Sequence, residues 1–164
     1  MILNRQHRVR ISMSLLRNFV GRVRRALHLP PQSFAVCLVT DAEIARWNRL
    51  YRGKTGSTDV LSFPAVIRET KQKKRAMGRK RKRAGVPSLV SRSFVASPGA
   101  YLGDIAIAPG LARRNARRFG RTFDDEMRIL ILHGILHLMG YDHETDTGQM
   151  ERREQRLRRA LGLA

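Results

Sequence analysis

Apolar residues recur at helical spacing over Leu15, Leu16, Phe19, Val23 and Leu27, behind a Ser12 able to cap the helix and ahead of the breaking pair Pro30-Pro31. Upstream, Val9 and Ile11 alternate with Arg8 and Arg10, which predicts an edge strand within residues 1–11 carrying a basic outer face. The short β-rich run from Phe34 to Val39 predicts a buried strand. Thr40 or Asp41 then caps a helix with Ile44, Trp47 and Leu50 on one face. Val60 to Phe63 reads as a strand that Pro64 ends. From Gly103 to Ala108 the alternation sends Ile105 and Ile107 one way and Ala106 and Ala108 the other, again a strand. Pro109 opens a helix that runs through Phe119 to a stop at Gly120. Thr122, with Asp125 three residues later, starts a further helix in the manner of a capping box. That helix is apolar nearly all round, through Phe123, Met127, Ile129, Leu130, Ile131, Leu132, Ile135, Leu136, Leu138 and Met139, so it belongs in the middle of a domain. A last helix, from about Thr147 to Leu161, packs through Met150, Leu157 and Leu161.

One stretch breaks these patterns. Within residues 68–98, Lys71 to Arg83 holds nine Lys or Arg in thirteen positions and no acid, and a Gly-, Pro- and Ser-rich run follows. Such a segment repels itself and buries no core, so it reads as a flexible basic insertion in an otherwise single domain spanning 1–164. It suits an arm that displaces counterions from RNA phosphates, against the plainer reading of a solvated loop. The whole chain is basic, with 33 Lys and Arg against 13 Asp and Glu and a formal net charge of +20. That balance draws polyanions, nucleic acid first and anionic membrane second, unless it is only an Arg-rich surface. No apolar run is long enough to span a membrane, no signal-peptide pattern opens the chain, and the single Cys37 excludes an intramolecular disulfide framework. A cytoplasmic protein without a membrane partner is the expectation. The loop from Gly53 to Ser57 is rich enough in glycine to cradle a phosphate, but its spacing is not that of a Walker loop and most such loops are turns.

The chemistry concentrates in His133-Gly134-Ile135-Leu136-His137-Leu138-Met139-Gly140-Tyr141-Asp142-His143, which contains three of the five histidines. His133 and His137 stand four apart and share one helix face. Gly140 supplies a left-handed helix stop, after which the chain can bring His143 back to the same point. Three neutral nitrogen ligands with an open fourth position are the pattern of a catalytic zinc site. His7 and His28, standing alone, read as structural. The spacing is similar to the metzincin site H-E-x-x-H-x-x-G-x-x-H, with Gly134 where those peptidases carry glutamate. That glutamate is the base that activates the zinc-bound water, so its absence argues against proteolysis. A zinc ion on three neutral histidines keeps its full charge, which suits a phosphodiester substrate, and an arginine would add bidentate stabilisation.

The same stretch resembles the signature H-G-x-L-H-L-x-G-Y-D-H of the YbeY family, bacterial single-strand endoribonucleases of ribosomal RNA maturation. Tyr51-Arg52-Gly53 with Thr58-Asp59-Val60-Leu61-Ser62-Phe63-Pro64 resembles the family's Y-R and T-D/N-V-L-S-F-P block, and Leu102-Gly103-Asp104-Ile105 its L-G-D-I block. The family joins these two blocks by a shorter loop, so residues 68–98 are an insertion relative to it. The resemblance implies an α+β fold with a mixed sheet of about four strands flanked by helices and a metzincin-like zinc helix. It implies one Zn2+ at His133, His137 and His143, with His133 and Arg52 in the catalytic machinery and Arg52 on the scissile phosphate. It further implies single-stranded RNA as substrate, at the 3′ end of small-subunit ribosomal RNA and in ribosome quality control, with the small ribosomal subunit and assembly factors as partners. Asp142 is either an orienting partner for a histidine ligand or a turn residue, and Asp59 and Asp104 read as structural. Two other readings stay open: a non-catalytic RNA-binding assembly factor with structural zinc, and a metallopeptidase-like zinc hydrolase.

Overall fold

The computed structural model describes residues 1–65, 101–143 and 146–163. The basic insertion expected at 68–98 lies outside the described residues. Four strands, β1 (Ile2–Asn4), β2 (Phe34–Leu38), β3 (Val60–Pro64) and β4 (Gly103–Ile107), form a mixed sheet in the order β1-β2-β4-β3. The first three in that order run parallel, and β3 returns antiparallel to β4. The helices among the described residues are α1 (Met13–Ala26), α2 (Asp41–Arg52), α3 (Pro109–Arg118), α4 (Phe123–Leu138) and α5 (Gln149–Ala160). The architecture is the expected α+β fold with a four-stranded mixed sheet.

Side-chain alternation assigns the two faces of the sheet. Phe34, Val36 and Leu38 of β2 and Ile105 and Ile107 of β4 enter the main core, together with the inward residues of α1, α4 and α5. Val39, Leu61, Ala106 and Ala108 form a smaller cluster on the other side, closed by Ile44 of α2, with Trp47, Phe63 and Leu111 packed against it. The large-in, small-out pattern read along β4 is therefore the pattern observed. Helix α4 lies in the main core and contacts α1, α3, α5, β3 and β4, which is why it is apolar around its circumference. Its start is capped as expected, with the Thr122 hydroxyl accepting from the Asp125 N–H at 3.0 Å.

Three local expectations give way to the structure. The N-terminal strand is Ile2–Asn4 and not the Val9/Ile11 stretch, although it does take an edge of the sheet. The buried Gln6 amide explains this: it donates to the Val9 carbonyl at 3.0 Å and accepts from the Val9 N–H at 2.8 Å. Both backbone groups of Val9 are thereby occupied. On α2, Ile44 is buried but Leu50 is 69% exposed, and Asn48 is buried in its place, donating to the Gly56 carbonyl at 3.0 Å. Each step of three residues drifts about 60° around a helix, so two such steps carry Leu50 off the face that Ile44 defines. Finally, α5 begins at Gln149 and not at Thr147, because the Asp146 carboxylate accepts from the N–H groups of Gly148, Gln149 and Met150 and so sets the first turn.

Two glycines in helices make opposite demands. A Cβ on Gly134 of α4 would stand 2.7 Å from Ile105 Cγ2, whereas one on Gly21 of α1 would meet only Arg25 at 3.7 Å. Gly21→Ala is therefore expected to stabilise the fold by about 0.5–1 kcal/mol through helix propensity. Gly134→Ala is expected to destabilise it by about 1–3 kcal/mol through overpacking of the buried Ile105. Chemical denaturation of the two variants beside the parent chain measures both signs.

Candidate metal centre

Helix α4 ends in a way that decides where the third histidine goes. Gly140 has φ 88°, its N–H donates to the His137 carbonyl at 3.0 Å, and the Tyr141 N–H donates to the Leu136 carbonyl at 3.1 Å. This pair of bonds is a Schellman closure, which reverses the chain with Tyr141 packed against the core. Asp146 N–H then donates to the Asp142 carbonyl at 2.9 Å, forming a turn around His143. As a result one donor nitrogen from each of His133, His137 and His143 lies within 4.8 Å of the others. The ring centroids are 4.7 Å apart for His133 and His137, 5.5 Å for His133 and His143, and 5.3 Å for His137 and His143. All three histidines read from the sequence thus converge.

The donor set fits a metal ion. His133 Nε2 and His137 Nε2 are 3.1 Å apart. Two nitrogens at zinc-bond length in a tetrahedral shell stand about 3.3 Å apart, so this pair is already at ligand spacing. Burial, followed by the neighbouring His133 and His143, pushes the His137 pKa down to about 4. At neutral pH that ring is therefore the uncharged imidazole, with a lone pair on one nitrogen and a proton on the other, the form a metal ligand takes.

His133 and His137 each make a further ring hydrogen bond. His133 Nδ1 donates to Glu154 Oε2 at 2.9 Å, and the other Glu154 oxygen pairs with Arg158. The His137 ring hydrogen-bonds the Tyr141 backbone. Burial pushes the Glu154 carboxyl up, and the bond to His133 together with Arg158 outweighs it, holding the group below its ordinary value. Beside Asp142, which the sequence leaves as either an orienting partner or a turn residue, the structure brings in a second carboxylate, Glu154, bonded to a ligand ring. Asp142 acts on His137 by its nearby charge, which raises the affinity of that ring for a proton. A signal for Glu154 was present: it lies four residues after Met150 and three before Leu157, so an acid occupies the apolar face of α5.

Gly134 faces away from this chemistry. The missing Cβ leaves room for Ile105 of β4, and the Gly134 carbonyl accepts from Ser62 Oγ of β3 at 3.2 Å. A glutamate here would meet the sheet, so the substitution that removes a peptidase base is also what lets α4 settle on β4. An open cleft of about 290 Å³ adjoins the centre, lined by His133, His143, Met150, Glu151, Glu154, Gln155 and Arg158. Arg52 is exposed as the last residue of α2, where Gly53 ends the helix at φ 64°. It is not among the residues lining that cleft. Its neighbour Tyr51 packs edge-on against Phe63 of β3, with ring centroids 5.3 Å apart. Asp59 accepts from Asn115 Nδ2 at 2.8 Å, and Asp104 from the Tyr101 hydroxyl at 2.6 Å, both in keeping with structural roles. No helix among the described residues is long and apolar enough to cross a membrane.

This geometry predicts that the chain, equilibrated with Zn2+ and freed of excess, retains one equivalent, and that His137→Ala retains none. Elemental analysis of the desalted proteins, with circular dichroism to confirm the fold, measures both.

Comparison with known proteins places this centre in a lineage. The sequence profile described as Endoribonuclease YbeY matches residues 1–162. The chain is similar to the Endoribonuclease YbeY of Solibacter usitatus, with 41% identity over 130 residues, covering 79% of this chain and 67% of that one. It is 34% identical over 163 residues to that of Koribacter versatilis, covering 99% and 86% of the two chains. Among solved structures, the solution structure of TM1509 from Thermotoga maritima shares the fold, with a TM-score of 0.56 and 24% identity over 98% of this chain and 89% of that one. The histidine triad at the end of α4 and in the turn beyond it, the blocks around Arg52 and Gly103 and a match over nearly the whole length agree: the chain belongs to the endoribonuclease YbeY family.

Proposed function

We propose that the protein is a zinc-dependent endoribonuclease that cuts single-stranded RNA in the maturation of ribosomal RNA. Its substrate includes the 3′ end of the small-subunit RNA, and it acts in the cytoplasm with the small ribosomal subunit and assembly factors as partners. The observation that carries the reading is the convergence of three imidazole nitrogens within 4.8 Å, in a chain whose family is named for RNA cleavage. The net charge of +20 supports a polyanionic substrate. A zinc ion bound there would supply a Lewis acid for a phosphoryl oxygen and lower the pKa of bound water toward about 7.

The protein's own groups do the rest. His133 and His137 are held on a rigid helix, so their nitrogens keep one spacing through the reaction. The exposed guanidinium of Arg52 binds the scissile phosphate in bidentate fashion and stabilises the charge that develops on it. In this reading residues 1–164 act as a single domain, and the basic run within 68–98 adds contacts to the RNA backbone through its charge. A peptidase route lacks its base, because Gly134 is packed against Ile105. A non-catalytic RNA-binding factor with structural zinc differs in one measurable respect: its purified chain cuts nothing.

Arg52→Ala is expected to keep its zinc and its fold while cleaving a defined single-stranded RNA at least a hundredfold more slowly, as for loss of a charge-stabilising group. His133→Ala is expected to lose both metal and cleavage. Undiminished cleavage by the Arg52 variant would refute that role, and the variant preparation also exposes any contaminating ribonuclease. A strand of the same sequence paired into a duplex is expected to resist cutting.

A further inference from the structure

Helix α5 contributes no metal ligand, yet it carries a buried acid toward the histidines. Glu154 is 8% exposed, between the buried Met150 and Leu157 on the inward face of the helix. A carboxylate taken out of water needs a partner for each oxygen. One oxygen accepts from His133 Nδ1 at 2.9 Å, and the other pairs with Arg158 one turn later on the same helix. The two nitrogens of His133 are thereby divided: Nδ1 faces α5, and Nε2 faces His137 Nε2 at 3.1 Å.

We propose that Glu154 is a positioning residue for the metal centre, and that the Glu154–Arg158 pair on α5 fixes the tautomer and the aim of His133. This rests on the reading of the histidine triad as a metal site. A carboxylate only accepts hydrogen bonds, so it holds the proton of neutral His133 on Nδ1 and leaves the lone pair on Nε2, the nitrogen that meets the other ligands. Arg158 keeps the carboxylate from turning away. The helix that carries the pair is pinned at both ends. Its first turn is held by Asp146, and beyond its last turn Arg22 of α1 donates to the Leu161 carbonyl at 2.8 Å. The Asp146 that holds that first turn also closes the turn around His143. The docking of α5 thus sets one ligand through Glu154 and limits the path of another.

The test measures Zn2+ affinity of the full chain by competition with a chromophoric chelator. It also reads the His133 imidazole tautomer in the zinc-free protein by long-range 1H–15N correlation. Glu154→Gln keeps the size of the side chain and is expected to bind Zn2+ about tenfold more weakly, with the His133 ring redistributed between its two tautomers. Glu154→Leu, which removes the acceptor, is expected to lose up to about a hundredfold. Wild-type affinity in folded Glu154→Gln with the Nδ1–H tautomer unchanged would overturn the proposal, whether or not the leucine variant folds. His137→Ala, run alongside, separates this from failure of the metal reading. If that variant loses its zinc while the Glu154 variants do not, the positioning role falls alone. If it keeps wild-type affinity, the metal site falls first.

Discussion

The rest of the molecule depends on how closely α4 approaches the sheet. At Gly134 the helix has no side chain, and Ile105 of β4 occupies the space that a Cβ would need. A gap of one methyl group decides whether two rigid elements lie in contact or stand apart, because interiors are packed at crystal-like density. With α4 seated there, Met127, Ile131, Leu132, Ile135 and Leu136 are all buried without exposing an apolar face elsewhere. The hydroxyl of Ser62 then ties β3 to the same glycine through its carbonyl. The two histidines flank this contact on a helix that cannot shift without breaking it.

The same contact shapes the chemistry. In a peptidase with this histidine spacing, the residue after the first histidine is a base. Here that position is given over to packing, and a buried acid from α5 bonds His133. An acid bonded to His133 Nδ1 would orient that ring toward a metal ion held by the triad. The centre is therefore a set of imidazole donors backed by one carboxylate shared between His133 and Arg158, on a protein with a large positive charge. Such a site favours an anionic substrate over a peptide, for reasons of charge as much as of the missing base.

Much of this was legible along the chain because the signals are local. The spacing of His133 and His137, the Gly140 stop, the Thr122 cap and the alternation of isoleucine and alanine in β4 each follow from helix or strand period within a few residues. Periodicity was a poorer guide where few residues carried it. Val9 and Ile11 alternate as a strand would, but Gln6 takes the backbone groups of Val9. Leu50 follows Ile44 and Trp47 in steps of three, and the drift of such steps around a helix carries it into solvent.

By itself the sequence determined most of the elements, the pair of histidines on one helix face and the family blocks, because helix period, capping and turn chemistry act between near neighbours. Only the tertiary structure decided that the third histidine reaches the first two, that Gly134 faces β4, and that Glu154 of α5 bonds His133. Those outcomes depend on how whole helices dock. His133 and Glu154 are 21 residues apart, and they meet because burying Met150 and Leu157 leaves one orientation for the helix between them. A local pattern carries no record of which distant surface completes it, and burial of the helices against one sheet supplies that record.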